Sequence, residues 1–140
     1  MLGARVERRG MARKATGRPT DLELEILNVL WERGPSTVAD VQQALSRRRP
    51  VARTTVLTML RIMTDKRLVV RDTRERAYRY RARESRSAVA RRLVGDLLRR
   101  VLHGSAPQLV LHALEQRRLT PGELAEIRRA VEDLEQRPHA

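Results

Sequence analysis

The sequence predicts a mainly α-helical fold with one small β-hairpin, and three observations support this prediction. Apolar residues recur with the spacing of a helix in most of the chain. Capping signals stand in front of several of these segments. Only residues 68–81 contain the short β-prone runs, separated by a polar stretch, that predict two strands and a turn.

The first predicted helix begins after Thr20, where Glu23 stands three residues later and completes a capping box. Gly34 and Pro35 end this helix. We expect Glu23 and the neighbouring Glu25 to lie on a solvated face. Four apolar residues are predicted to face a core: Leu24, Leu27, Leu30 and Trp31.

The second predicted helix begins at Thr37, with Asp40 in the reciprocal capping position. Pro50 disfavours its continuation beyond the basic segment 47–49. Its apolar stripe consists of Val38, Val41, Ala44 and Leu45.

The third predicted helix, over residues 53–63, has two contrasting faces. Val56, Leu60 and Met63 fall at i, i+4 and i+7 and form one buried stripe. The other face carries short hydroxyls and arginines, which are suited to the DNA major groove because Arg can bond guanine and Thr can reach a phosphate or a thymine methyl. The predicted DNA-binding residues of this helix are Arg53, Thr54, Thr55, Thr58 and Arg61.

The hairpin is predicted from two strands, residues 68–71 and 78–81, joined by a charged turn. Tyr78 and Tyr80 alternate with Arg79 and Arg81, so one face is expected to pack and the other to be cationic. A hairpin beside a polar-faced helix predicts a winged helix-turn-helix domain. We predict that Arg74, Arg76 and Arg79 of this wing contact the DNA backbone; the alternative is a merely solvated hairpin.

Charge is clustered along the chain, which carries a formal net charge of +13. Residues 47–83 hold thirteen basic and three acidic residues, whereas residues 19–46 have a net charge of −4. A polyanionic partner explains this clustering better than solubility does. The predicted domains are a basic disordered arm (1–18), a winged-helix DNA-binding domain (19–83) and a helical dimerisation region (84–140). Translation can start at Met1 or at Met11.

Residues 84–140 are predicted to form three further helices, the last opened by Thr120, Pro121 and Glu123. These helices have apolar stripes but little core of their own. A second copy of the chain is the expected partner, because twofold symmetry would place two recognition helices about 34–36 Å apart on DNA; folding back onto the winged domain is the alternative. The predicted dimerisation residues are Leu97, Val101, Leu124, Ile127, Val131 and Leu134.

Several classes of function are disfavoured. There is no cysteine, so a thiolate metal site or a cysteine nucleophile is impossible. The histidines His103, His112 and His139 have no convergent acidic set, and no phosphate-binding glycine loop or nucleophile elbow occurs. We therefore predict no enzyme, no metal and no cofactor. No apolar run approaches the roughly 20 residues that span a bilayer, and a cytoplasmic protein without membrane insertion is expected.

The chain resembles the penicillinase-repressor family (BlaI/MecI type) of winged-helix regulators over roughly residues 19–136. Three segments carry the resemblance, and their order and spacing are more specific than any one of them. They are residues 20–27 running into Leu30 and Trp31; Arg53-Thr54-Thr55-Val56 with Leu60 and then residues 66–69; and Arg76-Ala77-Tyr78-Arg79-Tyr80 in the wing.

This resemblance implies a homodimer that represses transcription from an inverted-repeat operator. It also implies a membrane-embedded sensor protease as a further partner, whose signal leads to cleavage of the repressor near His112-Ala113. The Asn-Phe pair that is cleaved in the best-known members is missing here. Copper-responsive relatives use a C-terminal cysteine cluster, which this chain lacks.

The leading hypothesis is therefore a sequence-specific, double-stranded-DNA-binding repressor that acts as a homodimer. The first alternative is a nucleoid-associated or RNA-binding basic protein without sequence preference. Against this alternative, the chain offers few aromatic side chains on which the bases of single strands could stack, since it has one Trp, two Tyr and no Phe. The second alternative is a winged-helix adaptor whose third helix contacts protein.

Overall fold

The computed structural model describes residues 18–138, and it confirms a mainly helical chain with one small hairpin. The predicted basic arm, the two candidate start methionines and His139 lie outside the described residues, apart from Arg18 at the end of the arm. The elements in order are α1 (Asp21–Arg33), α2 (Val38–Ser46), α3 (Arg53–Asp65), β1 (Val69–Asp72), β2 (Arg79–Ala82), α4 (Arg86–Arg100), α5 (Ala106–Glu115) and α6 (Pro121–Gln136).

The predicted capping boxes form at the starts of α1, α2 and α6. Thr20 accepts the backbone N–H of Glu23, whose side chain accepts the N–H of Thr20 in return. The same reciprocal pair joins Thr37 to Asp40 at α2, and a third opens α6. Each box satisfies N–H groups that have no partner inside the helix, so these three helix starts depend on neighbouring residues alone.

The chain divides into two compact units, the first ending at Leu93 and the second beginning at Val94. In the first unit, α1, α2, α3 and the hairpin surround one apolar core. Tyr80 is fully buried in this core, and its backbone pairs with Ser36 in the turn between α1 and α2 through two hydrogen bonds of 2.8 and 2.9 Å. The core consists of Ile26, Leu27, Leu30, Val41, Leu45, Val56, Leu60, Met63, Leu68, Val69 and Tyr80.

The buried stripe of α1 differs from the predicted one. Ile26, Leu27 and Leu30 are buried together with Glu23, whereas Leu24 and Trp31 are only half-buried at the edge of the core. The prediction that Glu23 lies on a solvated face is therefore wrong. Because the acidic Glu23 occupies one position of the buried stripe, the apolar residues alone did not show which face of α1 is buried.

Trp31 joins α1 to the segment that leads into α4. Its indole N–H donates to the backbone carbonyl of Glu84 at 2.9 Å, and the Arg86 guanidinium lies 5.4 Å from the ring centroid. The carboxylate of Glu84 in turn accepts from Arg92 at 2.8 Å. The indole thus fastens two parts of the first unit through its polar group, although the ring is not enclosed in the core.

The hairpin is antiparallel, with Val69 opposite Ala82 and Asp72 opposite Arg79. Each strand begins one residue later than predicted. The reason at β1 is that Leu68 still belongs to the end of α3, where its N–H donates to the carbonyl of Met63 at 2.8 Å. This bond and the one from Arg67 to Thr64 form a Schellman motif, in which Arg67 adopts a left-handed conformation (φ 62°) usually taken by glycine.

The second unit contains the end of α4, together with α5 and α6. From Val94 to residue 138, no described side chain is buried, and α5 and α6 contain no buried residue at all. Burial of apolar area is the main stabilising contribution to a protein fold. This unit consists of amphipathic helices whose apolar faces remain largely open to solvent.

Candidate nucleic-acid interface

Helix α3 has one buried face and one exposed face. Val56, Leu60 and Met63 are completely buried against the core. The five residues predicted to enter the major groove are all exposed on the same helix: Arg53, Thr54, Thr55, Thr58 and Arg61. The N-cap residue of this helix, Ala52, provides no side-chain cap, so the N–H groups of the first turn remain available to an outside acceptor.

The C-terminal end of α3 is held by a buried ion pair. Lys66 donates to the carboxylate of Glu23 at 2.8 Å, and the side chains of the two residues are 15% and 1% exposed. Burial raises the pKa of Glu23, but the bond from Lys66, the N–H of Thr20 and the charge of Lys66 lower it more, so the pKa lies below its usual value. Glu23 is therefore ionised at neutral pH and orients the end of α3 that follows Arg61.

Two of the three predicted wing contacts are already paired with acids of the wing itself. Arg74 donates hydrogen bonds from its Nε and one terminal nitrogen to the carboxylate oxygens of Asp72, at 2.8–3.1 Å. This bidentate bond and the backbone N–H of Arg74 lower the pKa of Asp72 to about 2. Arg79 donates to Glu75 at 3.3 Å. Arg76 is exposed and takes part in none of the ion pairs found among residues 18–138.

Tyr78 does not pack as predicted, because it lies beyond the last strand pair and outside the core. Its side chain is 45% exposed, whereas Tyr80 is 2% exposed. The Arg71 guanidinium lies 5.1 Å from the centroid of the Tyr78 ring, within the range of a cation–π contact. Tyr78 is thus an exposed platform for an arginine at the wing tip.

A shallow groove of about 190 Å³ lies between α3 and the wing. Arg53 and Leu57 line it from α3, while Arg76, Ala77 and Tyr78 line it from the wing. One predicted contact of the helix, Arg53, and one of the wing, Arg76, therefore lie on the two sides of this groove.

Arg71 was not among the predicted contacts, and two cations of the basic segment 47–83 bond acids of the first unit. Arg49 bonds Glu25 at 2.8 Å, and Lys66 bonds Glu23, so both charges are satisfied within the first unit. The strand register explains the contact between Arg71 and Tyr78. Arg71 lies opposite Tyr80, which places it diagonally across from Tyr78 on the same face of the hairpin.

The predicted dimerisation residues lie on the open apolar faces of α6 and of the end of α4. Val101 and Leu134 are each 61% exposed, Val131 is 51% exposed, and Leu97 and Leu124 are each 43% exposed. Ile127 is partly covered. These side chains therefore form apolar faces that are open to solvent in the single chain.

The described residues contain no group of three or more His, Cys, Asp and Glu side chains placed to hold a metal ion. His103 and His112 are both exposed. Within residues 18–138, no helix has the length and apolar character that a bilayer crossing requires.

Comparison with known proteins assigns the chain to a family. Residues 19–133 match the family model described as penicillinase repressor. The chain is also similar to the transcriptional regulator BlaI of two strains of Mycobacterium tuberculosis, at 37% identity over 117 residues, which cover 82% of this chain and 83% of each relative. Both the family and these relatives are regulators of transcription, which confirms the predicted resemblance and the prediction that the chain is not an enzyme. The chain belongs to the penicillinase repressor family of transcriptional regulators.

Proposed function

We propose that the chain is a sequence-specific repressor that binds an inverted-repeat operator in double-stranded DNA as a homodimer. In this proposal α3 enters the major groove with Arg53, Thr54, Thr55, Thr58 and Arg61, and the wing approaches the adjacent backbone. The protein acts where the DNA is, in the cytoplasm. Residues 19–83 form the DNA-binding domain, and residues 84–140 hold two copies together.

The observation that carries this proposal is the division of α3 into a fully buried apolar face and an exposed face of threonines and arginines. Every amphipathic surface helix exposes a polar face, but the exposed residues of α3 before Asp65 are two arginines and three threonines, with no acid among them. Short hydroxyls allow a helix to approach base edges closely, and arginine supplies the bidentate bond that distinguishes guanine. The groove between α3 and the wing follows the same surface, as expected for a duplex that contacts both.

The test is selection of bound duplexes from a random pool by the purified full-length chain. The proposal requires enrichment of one motif repeated with inverted symmetry, with half-site centres one helical turn or a multiple of it apart. A pool that stays random after several rounds, with all duplexes bound equally, would favour the non-specific nucleoid or RNA-binding alternative. No binding to any duplex at low salt would favour the protein adaptor.

Dimerisation is supported by the amount of apolar surface that the single chain leaves open. Eight large aliphatic side chains, all between Val94 and Leu134, are 43–61% exposed. Full burial of one such side chain contributes about 1.5–3 kcal/mol, so covering the exposed halves of eight offers roughly 6–12 kcal/mol per chain. Two chains together can therefore offset an association cost of about 4–15 kcal/mol. Apolar side chains that remain exposed on a single chain also promote aggregation, and a symmetric partner would cover them.

Val131→Asp with Leu134→Asp should convert the dimer into a folded monomer and weaken operator binding strongly. Both side chains are more than half exposed, so the single chain loses little burial when they become charged. Arg129→Asp is the matched control, because it places a carboxylate on the opposite side of α6. Sedimentation reports the mass of each variant; a dimer that survives the double substitution but not the control would place the interface elsewhere.

The proposal includes relief of repression through a sensor protease. The candidate bond between His112 and Ala113 lies inside α5, so its backbone is hydrogen-bonded within a helix. Proteases cleave exposed, extended chain far more readily than helix. Cleavage here therefore requires α5 to open first. Co-expression with a sensor protease and intact-mass measurement tests this: an unchanged mass under inducing conditions would remove the protease from the mechanism.

A further inference from the structure

The structure distinguishes two kinds of arginine in the wing, those that bond acids of the wing and those that do not. We propose that the wing contacts the DNA backbone through Arg71 and Arg76, that Tyr78 is the positioning residue for Arg71, and that Arg74 and Arg79 act mainly as neutralised pairs. This inference rests on the proposed function, since it concerns the same DNA-binding surface, and it replaces the expectation that Arg74 and Arg79 are contacts.

The charges of the wing divide into neutral pairs and uncompensated arginines. Residues 69–82 contain five arginines and two acids. Asp72 is taken by Arg74 and Glu75 by Arg79. The remaining arginines, which form no ion pair within residues 18–138, are Arg71, Arg76 and Arg81.

The Arg74–Asp72 pair is solvent-exposed, at 88% and 41%, so its strength alone would not keep Arg74 from a phosphate. What distinguishes Arg74 from an unpaired arginine is the negative charge that stays beside it. Its Nε and one terminal nitrogen already donate to both oxygens of Asp72, the side-on arrangement in which arginine binds a carboxylate best. A phosphate must either displace this carboxylate or approach a guanidinium with a negative charge beside it. In both cases the release of counterions from DNA, which drives backbone binding, is diminished by the charge of Asp72.

Arg71 is prepared for the same task by the ring beneath it. A cation–π contact does not occupy the guanidinium N–H groups with an acid, so they remain available to a phosphate. The 5.1 Å contact with Tyr78 limits the motion of a long side chain that is exposed at the wing tip. Less conformational freedom is then lost when a phosphate binds, so the stacked arginine binds more tightly than a freely moving one.

The register of the hairpin places these groups on the side that faces α3. Cross-strand partners share a face, so Arg71 lies with Tyr80, whose ring is buried in the core. Tyr78 and Arg76 line the groove whose other wall includes Arg53 of α3. Arg81 pairs with Val70 and lies on the other face of the hairpin. The groove side of the wing is therefore the side that carries uncompensated charge next to α3.

The experiment measures the dependence of duplex affinity on salt concentration for the full chain, using the duplex obtained by selection. Arg71→Ala and Arg76→Ala should each reduce the slope of log affinity against log salt by about one unit per wing. Arg81→Ala is the matched control, because it removes the same charge from the other face of the same hairpin. A change for Arg81→Ala as large as that for Arg71→Ala would overturn the assignment.

A second pair of variants tests the neutralised arginines. Removing the whole pair with Asp72→Asn and Arg74→Gln leaves the net charge of the wing unchanged, and the slope should stay within about a third of a unit of the wild-type value. Asp72→Asn alone frees Arg74 and should steepen the slope, which a purely structural role of the pair would not cause. A loss of about one full unit in the double variant would show that Arg74 itself contacts phosphate.

The role of Tyr78 is tested by two substitutions at an exposed position that should not disturb folding. Tyr78→Phe retains the ring and should keep the affinity, whereas Tyr78→Leu retains Arg71 but should weaken binding about three- to fivefold. Equal affinities for the two would refute the positioning role. The wing assignment can be tested independently of the proposed function, because the salt slopes of the same variants can also be measured on a random duplex. The assignment can therefore hold or fail whether or not an inverted repeat is selected.

Discussion

The chain contains two ion pairs of equal length that differ in burial, and substituting each glutamate compares their contributions to stability. Glu23 and Glu25 lie two residues apart on α1, and each accepts a cation at 2.8 Å. The Glu23 side chain is 1% exposed and its partner Lys66 15%, whereas the Glu25 side chain is 32% exposed and its partner Arg49 53%. Glu23→Gln and Glu25→Gln make the same chemical change, so their difference isolates the effect of burial.

We expect Glu23→Gln to cost about 2–3 kcal/mol of the free energy of unfolding. The glutamine oxygen can still accept the N–H of Thr20, but its amide group offers a donor to the Lys66 ammonium. Breaking a buried pair costs about 3–5 kcal/mol, and the partial exposure of Lys66 to water reduces that loss. Glu25→Gln should cost at most about 0.5 kcal/mol, since exposed pairs contribute little.

Urea unfolding followed by the fluorescence of Trp31 measures both losses, because this single tryptophan belongs to the first unit. With a slope of about 1.5 kcal/mol per molar urea, the midpoint should fall by roughly 1.3–2 M for Glu23→Gln and by less than about 0.4 M for Glu25→Gln. Adding Lys66→Met to Glu23→Gln removes the stranded ammonium and should recover much of the loss. Equal shifts for the two single variants would refute the reasoning.

The pH dependence has a definite sign. The pKa of Glu23 in the folded chain is below the usual glutamate value of 4.5. A group with a lowered folded pKa contributes stability that is present above its unfolded pKa and is lost as the pH falls through the folded pKa. The difference in stability between wild type and Glu23→Gln should therefore be constant above about pH 5 and shrink below about pH 4.5. A difference that grows on acidification would contradict the ionised state of Glu23.

Two further predictions concern α3. Arg61→Ala should weaken operator binding by about 1–3 kcal/mol and relax base preference at one position, while binding to random DNA changes little; equal losses on both, in a binding titration, would assign Arg61 to phosphate. Arg67→Gly should raise the free energy of unfolding, measured by urea unfolding, by about 0.5–1 kcal/mol. The reason is that Arg67 has a φ of 62°, a conformation that costs an ordinary residue more than it costs glycine. A loss of stability instead would mean that the Arg67 side chain makes a stabilising contact.

The sequence predicted those features of the fold that depend on neighbouring residues. The boxes at Thr20 and Thr37 require only a residue three positions later, and the buried stripe of α3 requires only helical periodicity. The exposure of Thr54 and Arg61 follows from the same periodicity, because a helix with one buried face must expose the other. These predictions did not require knowledge of how the elements pack together.

The predictions that were wrong concern residues whose environment is set by distant parts of the chain. Glu23 is buried because Lys66, 43 residues later, neutralises it. Nothing in the periodicity of α1 reveals such a partner, and an acidic residue inside an apolar stripe shifts the apparent phase. Tyr78 was expected to pack because it alternates with Tyr80, but the strand pairing ends at Arg79 and the core does not extend to the tip.

The basic surface shows why charge clustering alone is an incomplete guide to nucleic-acid contacts. Residues 47–83 carry a net charge of +10, yet several of these cations bond acids of the chain itself. Lys66 joins the end of α3 to Glu23 of α1, and Arg74 forms an ion pair with Asp72 within the wing. Both cations bond acids of the chain, so we expect each to release fewer counterions from a duplex than an unpaired cation would. Arg71 contacts the exposed Tyr78 ring, and the sequence alone did not single it out, because this contact can be recognised only once the strand register is known.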